Sequence, residues 1–396
     1  MSLKEEIKSA AASLKPALQE IRHHLHMNPE LSFQEHNTAA FVENYLQNLG
    51  LQTQRLAETG VVALIRGKNP ESKVVALRAD MDALPITEVE DGRPYRSKND
   101  GVMHACGHDV HTTSLLGAAT LLNARRDQFN GTVKLVFQPG EEKLPGGASL
   151  MIRDGVLENP KVDVMIGQHV MPQIAVGKTG FRKGLYMAST DEIYMTVYGK
   201  GGHGAMPHFN IDTVLIASHI IVALQQVVSR IANPAIPSVL SFGKVIANGA
   251  TNVIPAEVKL EGTFRTLDEN WRYEAHNRIR SIATGVAESM GGRVDIDIRV
   301  GYPFLKNDTD LTTRCQHAAT EYLGATEVSD LDIWMAAEDF AYYSQQVPSC
   351  FYRLGVRNEG RGIVHSVHHP SFDIDEDALE NGCGLLAWLA LQELGA

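Results

Sequence analysis

Cysteine is scarce in this chain. Cys106, Cys315, Cys350 and Cys383 are the four among 396 residues, and their spacing shows no pairs. That argues against a disulfide scaffold and suits a reducing compartment, so the expected location is the cytoplasm. Basic charge is also short. Lys and Arg number 36 against 47 Asp and Glu, leaving a formal charge of -11, which discounts a nucleic-acid binder. Long apolar runs are missing: VLIASHIIVAL and its like are short and interrupted, which speaks against a membrane protein. The first residues, MSLKEEIKSAAASLKPALQEI, have early acids and no apolar signal core. Internal repeats and low-complexity segments are lacking too.

What is present is a soluble globular composition, 44% apolar and 21% charged. The length predicts two domains. In the first half, helical spacing at 4–27, 41–50 and 112–129 alternates with apolar runs rich in Val, Leu and Ile: GVVALIRG, KVVALRADMDALP, GTVKLVFQPGEE and DVMIGQHV. This alternation predicts an α/β domain with a mostly parallel sheet covered by helices. From residue 187 the order becomes β-α-β-β-α-β, the split-βαβ arrangement, which predicts an inserted α+β domain over 187–301. Residues 302–396 then return to the first domain, formed with 1–186.

Acids and histidines gather where strands end, the place where open parallel sheets build sites. RADMD delivers Asp80 and Asp82, and QPGEE delivers Glu141 and Glu142. MHACGHDVH (103–111) delivers Cys106 and His108, two positions apart before a helix; in extended backbone that spacing aims both to one side. MIGQHV delivers His169, and IVHSVHHP places His365, His368 and His369 in a loop. Each has an ordinary reading: a solvated acid pair, a satisfied histidine, a helix cap, a buried thiol beside a polar loop. Their coincidence at independent strand ends favours a metal site. A thiolate with imidazoles and a carboxylate suits zinc and its first-row neighbours, not magnesium or calcium. If Glu141 and Glu142 lie on extended backbone they face opposite ways, one to metal and one to substrate, as metal-assisted hydrolysis requires.

LRADMDALP, MHACGHDVH, QPGEE, GQHV, GKGGHGAMPH, GATNVIP, GTFRTLD, AEDFA and HHPSFDIDE, in this order, resemble the M20 metallopeptidase family. The likeness is to its amidohydrolase branch of hippurate hydrolases, N-acyl-amino-acid amidohydrolases and plant auxin-conjugate hydrolases. It runs from residue 23 to the final helix. It implies a zinc-peptidase-like catalytic domain and a ferredoxin-like lid through which the chain forms a homodimer. It implies two divalent ions per subunit, zinc with Mn, Co or Ni as alternatives, held by Cys106, His108, Glu142, His169 and His369, with Cys106 as bridge. Glu141 matches the general base and acid, and Asp82 an aspartate supporting a metal ligand. His203, Asn252 and Arg265 match positions that contact substrate, an N-acyl amino acid. Ala336-Ala337 stands where the branch often has Gly-Ser, which puts substrate preference in doubt. Competing readings are a dipeptidase or aminopeptidase on the same metals, a non-catalytic zinc protein, and a cysteine hydrolase using Cys106.

Overall fold

The computed structural model describes residues 2–396, which form two compact units. Elements are numbered along the chain and include α2 (His36–Asn48), α4 (Gly147–Arg153), α7 (Thr309–Leu323), α8 (Ala341–Ser344), β7 (Gly184–Met187), β9 (Gly202–His203), β11 (Val253–Ile254) and β14 (Leu305–Asn307). The larger unit comprises residues 2–186, Lys306–Ile333 and Asp339–Ala396. Its strands are β1 (Thr53–Leu56), β2 (Gly60–Arg66), β3 (Val74–Asp80), β4 (Thr132–Gln138), β5 (Val164–Ala175), β6 (Thr179–Phe181), β15 (Val328–Asp330) and β16 (Ser349–Arg357). They form one sheet in the order β1-β2-β4-β3-β5-β16-β6-β15. The central four, β4, β3, β5 and β16, are parallel. The flanking pairs β1/β2, β2/β4 and β16/β6 are antiparallel, so the sheet is mixed. β3 and β4 are buried along their whole length, as strands covered on both faces must be, and this explains their unbroken apolar character.

The helices α1 (Leu3–Met27), α3 (His108–Asn123) and α9 (Asp377–Glu393) pack together on this sheet. Leu18, Leu25, Leu115, Leu122, Leu385 and Leu389 lie in their shared core. The crossover from β3 to β4 runs through α3. This brings residues 81–107 and 139–146 to the carboxyl ends of adjacent parallel strands.

The smaller unit comprises Met187–Leu305 and Trp334–Glu338. β8 (Asp191–Tyr198), β10 (Ser238–Ile246), β12 (Glu257–Thr266) and β13 (Arg293–Val300) form an antiparallel sheet in the order β10-β12-β8-β13. α5 (Thr213–Leu224) and α6 (Glu269–Ser289) pack on it, completing the split-βαβ arrangement. In β8 Ile193, Met195 and Val197 point into this core while Tyr194, Thr196 and Tyr198 alternate outward. Asp212 and Asp268 cap the two helices by accepting backbone N–H bonds.

The boundaries differ from those read in the sequence. The smaller unit extends to Leu305 rather than 301, because the Phe304 N–H bonds Glu269 Oε1 at 3.2 Å. Residues 334–338 join it because the Ala188 N–H donates to Trp334 and Ala336 carbonyls. The apolar helix is also longer than its sequence run suggested. With a π-helical turn it spans Thr213–Ile231, 19 residues of mean hydropathy 1.6, enough by length and composition alone to cross a bilayer. Ile216, Ala217, Ile220, Leu224 and Val227 on this helix instead fill the core of the smaller unit.

Candidate active site

The loop from β3 to α3 turns at Gly107, whose φ of 84° is left-handed. A side chain there would set its Cβ 2.6 Å from Val170 Cγ2, so glycine is needed on both counts. The convergence of Cys106 and His108 comes from this bend, not from the extended backbone expected. His108 opens α3, and its Nδ1 lies 3.1 Å from Asp82 Oδ1. Its Nε2 is buried without a hydrogen-bond partner among the described residues. Asp82 is itself fixed by the Ser32 hydroxyl at 2.6 Å and the Glu142 N–H at 2.9 Å.

His169 stands mid-strand in β5, beyond which the strand continues to Ala175. Its Nδ1 donates to the Val170 carbonyl at 2.7 Å, leaving Nε2 aimed at Cys106 Sγ, 3.5 Å away. Glu141 and Glu142 occupy a turn after β4 instead of extended backbone, and both face His108. Their separate tasks therefore cannot come from strand alternation. Glu141 Oε1 receives the Asp339 N–H at 3.4 Å.

Of five candidate groups of donor atoms among the described residues, two share Cys106. Cys106, His108 and His169 form one; Cys106, Glu142 and His368 form the other; within each trio the atoms lie within 4.8 Å of one another. The histidine in the second trio is His368, where the sequence reading named His369. The backbone decides between the neighbours. His368 adopts a left-handed φ of 64°, and its N–H bonds the Ala105 carbonyl at 2.7 Å. This turns its Nε2 to within 3.2 Å of Glu142 Oε1. His369 instead accepts the Ser371 N–H through Nδ1, and its ring stacks on His365 at 4.4 Å.

The electrostatics of this cluster suit cations. Burial alone would lower the His108 imidazole, but Asp80 and Asp82 outweigh it and raise its pKa to about 10. Burial, with Glu142, Glu141 and Asp80 nearby, pushes the Cys106 thiol well above its ordinary range. A thiolate here requires a compensating cation, which removes the ground for a free-standing cysteine nucleophile. Burial, reinforced by Arg353, holds His169 well below its ordinary value, leaving a neutral ring with a free lone pair. An orphaned buried imidazole nitrogen and a mixed thiolate, imidazole and carboxylate set fit a divalent metal ion.

Three further residues brace this cluster: His111, which the sequence reading took as a supporting residue, and Arg78 and Glu35, to which it gave no role. His111 is pinned between Asp80 at 2.5 Å and the Val170 N–H at 2.8 Å. Arg78 bonds both Asp80 and Asp339. Glu35 accepts the Gly140 N–H at 2.8 Å and the Thr59 hydroxyl at 2.7 Å, steadying the turn that carries Glu141. Burial, then the charge of Asp82, raises its pKa to about 6. PELSFQE, in which Glu35 is the last residue, was the available signal. The three expected substrate contacts lie in the smaller unit. His203 and Asn252 are exposed neighbours, joined by the Gly204 N–H to the Asn252 carbonyl at 2.7 Å. Arg265 is half-buried on β12, its Nε donating to Thr263 at 3.1 Å.

Known proteins resemble this chain over most of its length. Residues 76–392 match the model of peptidase family M20/M25/M40. The N-acetyl-L-cysteine deacetylase of Bacillus subtilis (strain 168) is 41% identical over 381 residues, 96% of this chain and 89% of that one. The N-acyl-L-amino acid amidohydrolase of Geobacillus stearothermophilus is 44% identical over 300 residues, 76% of this chain and 80% of the relative. A crystal structure from Bacillus subtilis, described as a dinuclear metal binding peptidase from the M20 family, superposes with a TM-score of 0.81 at 34% identity. It covers 97% of this chain and 99% of that one. The chain belongs to peptidase family M20/M25/M40.

Proposed function

We propose that this enzyme hydrolyses the amide bond of N-acyl amino acids, releasing a carboxylic acid and a free amino acid, with two divalent ions per chain. The observation that carries the reading is the pair of donor trios meeting at Cys106. Cys106, His108 and His169 would hold one ion, and Cys106, Glu142 and His368 the other. Zinc suits this donor set, with Mn, Co and Ni as neighbours. When bound, the ions polarise the acyl carbonyl and lower the pKa of a water.

Glu141 is not a member of either trio, and its carboxylate is the group assigned to proton transfer. It takes the proton of the attacking water and delivers it to the leaving nitrogen. Asp82 orients the His108 ring and sets which nitrogen faces the ion. His203, Asn252 and Arg265 are the substrate-binding candidates: an imidazole can steady an oxyanion, and a planar guanidinium suits a carboxylate. Substrate preference stays with the loop at Ala336-Ala337. A homodimer through the smaller unit is part of the same reading, supported by exposed Leu215 and Val222 on α5 and Val245 on β10. Four free cysteines suit the cytoplasm.

The description of the Bacillus subtilis structure as a peptidase keeps a second reading in view, a dipeptidase on the same ions. A panel of N-acetyl-amino acids, N-benzoyl-amino acids and dipeptides, run on zinc-, manganese- and cobalt-loaded protein, separates them. Turnover of the N-acyl compounds above the dipeptides supports the proposal. Preference for a free α-amine on the acyl side supports the peptidase.

A further inference from the structure

We propose that Arg22 is a positioning residue for the metal centre, whose guanidinium ties the segment following His368 to the first turn of α3, which carries His108. This rests on the two-ion reading above.

Arg22 is fully buried on α1 and meets three carboxylates from separate parts of the chain. Its Nε donates to Asp109 Oδ2 at 3.0 Å, its Nη2 to Asp373 Oδ1 at 2.6 Å and its Nη1 to Glu376 Oε1 at 3.1 Å. Asp109 directly follows His108 in α3. Asp373 and Glu376 lie between His368 and α9. One planar fork with five donors is the side chain suited to hold three acids at fixed angles; an ammonium is not.

The neighbours of Arg22 serve the same acids. Gln19, Arg22, His23 and His26 recur at helical spacing on one face of α1. Gln19 bonds Glu376 at 2.9 Å, and His23 bonds it at 2.6 Å. His26 bonds Asp109 at 2.8 Å and Glu88 at 3.1 Å. The Tyr95 hydroxyl bonds Asp373 at 2.8 Å, and its ring lies 4.7 Å from the guanidinium carbon. All of α1 precedes residues 76–392, the stretch matched by the family model.

Burying a guanidinium with three carboxylates is expensive. A purely structural strut could be apolar. What the fork supplies is a fixed distance between two ligand-bearing segments. Without it, Asp109, Asp373 and Glu376 lose the one charge they share, and each keeps only its separate ion-pair partner, His26, Arg93 or His23. The two trios then respond unequally. His108 keeps its place through Asp82 and through α3, whose body is core. His368 is carried by a loop outside any helix or strand, held besides Arg22 by its own N–H bond to Ala105, the Val89 N–H to the Pro370 carbonyl and Arg93 to the Phe372 carbonyl, without the packed body that α3 gives His108. Loss of Arg22 therefore falls on the ion shared by Cys106, Glu142 and His368.

The test is equilibrium dialysis of wild type, Arg22→Gln and Arg22→Lys against buffered Zn2+, counting ions per chain by elemental analysis. Wild type is expected to hold two. Arg22→Gln is expected to keep one tightly while the second weakens by about 10- to 100-fold, as for other groups that support ligands from behind. Arg22→Lys is expected to fall between. An Arg22→Gln protein that holds both ions as wild type does, or loses both together, overturns the proposal. If Arg22→Gln fails to fold, Asp373→Asn decides: selective weakening of one ion supports the proposal, and wild-type binding of both overturns it. A wild type that binds no ion overturns the two-ion reading itself.

Discussion

His108 Nδ1 and Asp82 Oδ1 face each other at 3.1 Å, both side chains out of solvent. The contact settles which nitrogen of His108 is left for an ion. Asp82 also receives the Glu142 N–H, so one carboxylate orders a donor in each trio. Asp82→Ala is expected to weaken metal binding by about 10- to 100-fold while the protein still folds. Metal content at a fixed free Zn2+ level measures this, and wild-type affinity in the variant would remove Asp82 from the site.

His368 and His369 are adjacent, but only the first reaches Glu142. His368→Ala is expected to lose one ion per chain and most turnover. His369→Ala is expected to keep both ions, its cost confined to the turn it caps at Ser371 and to its ring stack on His365. Elemental analysis of the two variants side by side checks the assignment, and the opposite ranking would restore His369 as the ligand.

Cys106 belongs to both trios, so its removal is expected to cost both ions. Cys106→Ala should retain less than one ion per chain where wild type holds two. Prolonged chelation should abolish wild-type activity, and added metal should restore it. Activity that survives chelation would point to the thiol as nucleophile.

In the smaller unit, Asp191 is buried between Arg272 at 2.6 Å and His276 at 2.7 Å. Burial acts to raise its carboxyl pKa, but the bonds from His276 and Arg272 outweigh this and hold it below the ordinary 3.8. A depressed carboxyl stabilises the fold above its unfolded value and loses that contribution as pH falls through the folded one. Asp191→Asn is expected to cost about 1 to 3 kcal/mol at neutral pH, since Arg272 keeps Glu269 as a partner but loses its bonds to a buried carboxylate. Urea unfolding of both proteins should show the gap narrowing below about pH 4. A gap that stays constant into acid would contradict the ion pair.

Much of the fold was legible because burial leaves simple marks. Strands β3 and β4, covered on both faces, read as continuous apolar runs, and β8, covered on one, reads as alternation. The mixed character of the large sheet was not legible, since β2 is as apolar as its neighbours yet runs antiparallel to β4. In the site, the residue types pointed to a metal centre, but backbone turns decide which side chain arrives. Nothing in HHP reveals that Ala105 fixes the turn at His368. Gln19, Arg22, His23 and His26 look in sequence like the wet face of an amphipathic helix. Their burial depends on acids at Glu88, Asp109, Asp373 and Glu376, which only the fold brings to α1.

In the proposed reaction Glu141 moves protons beside two ions that it does not hold. Glu141→Gln, loaded with zinc and assayed on N-acetyl-amino acids with its metal counted, tests it most directly. Two ions per chain and a loss of turnover of at least about 100-fold, the scale of general acid–base catalysis, are expected. Near-normal turnover with both ions in place would contradict it.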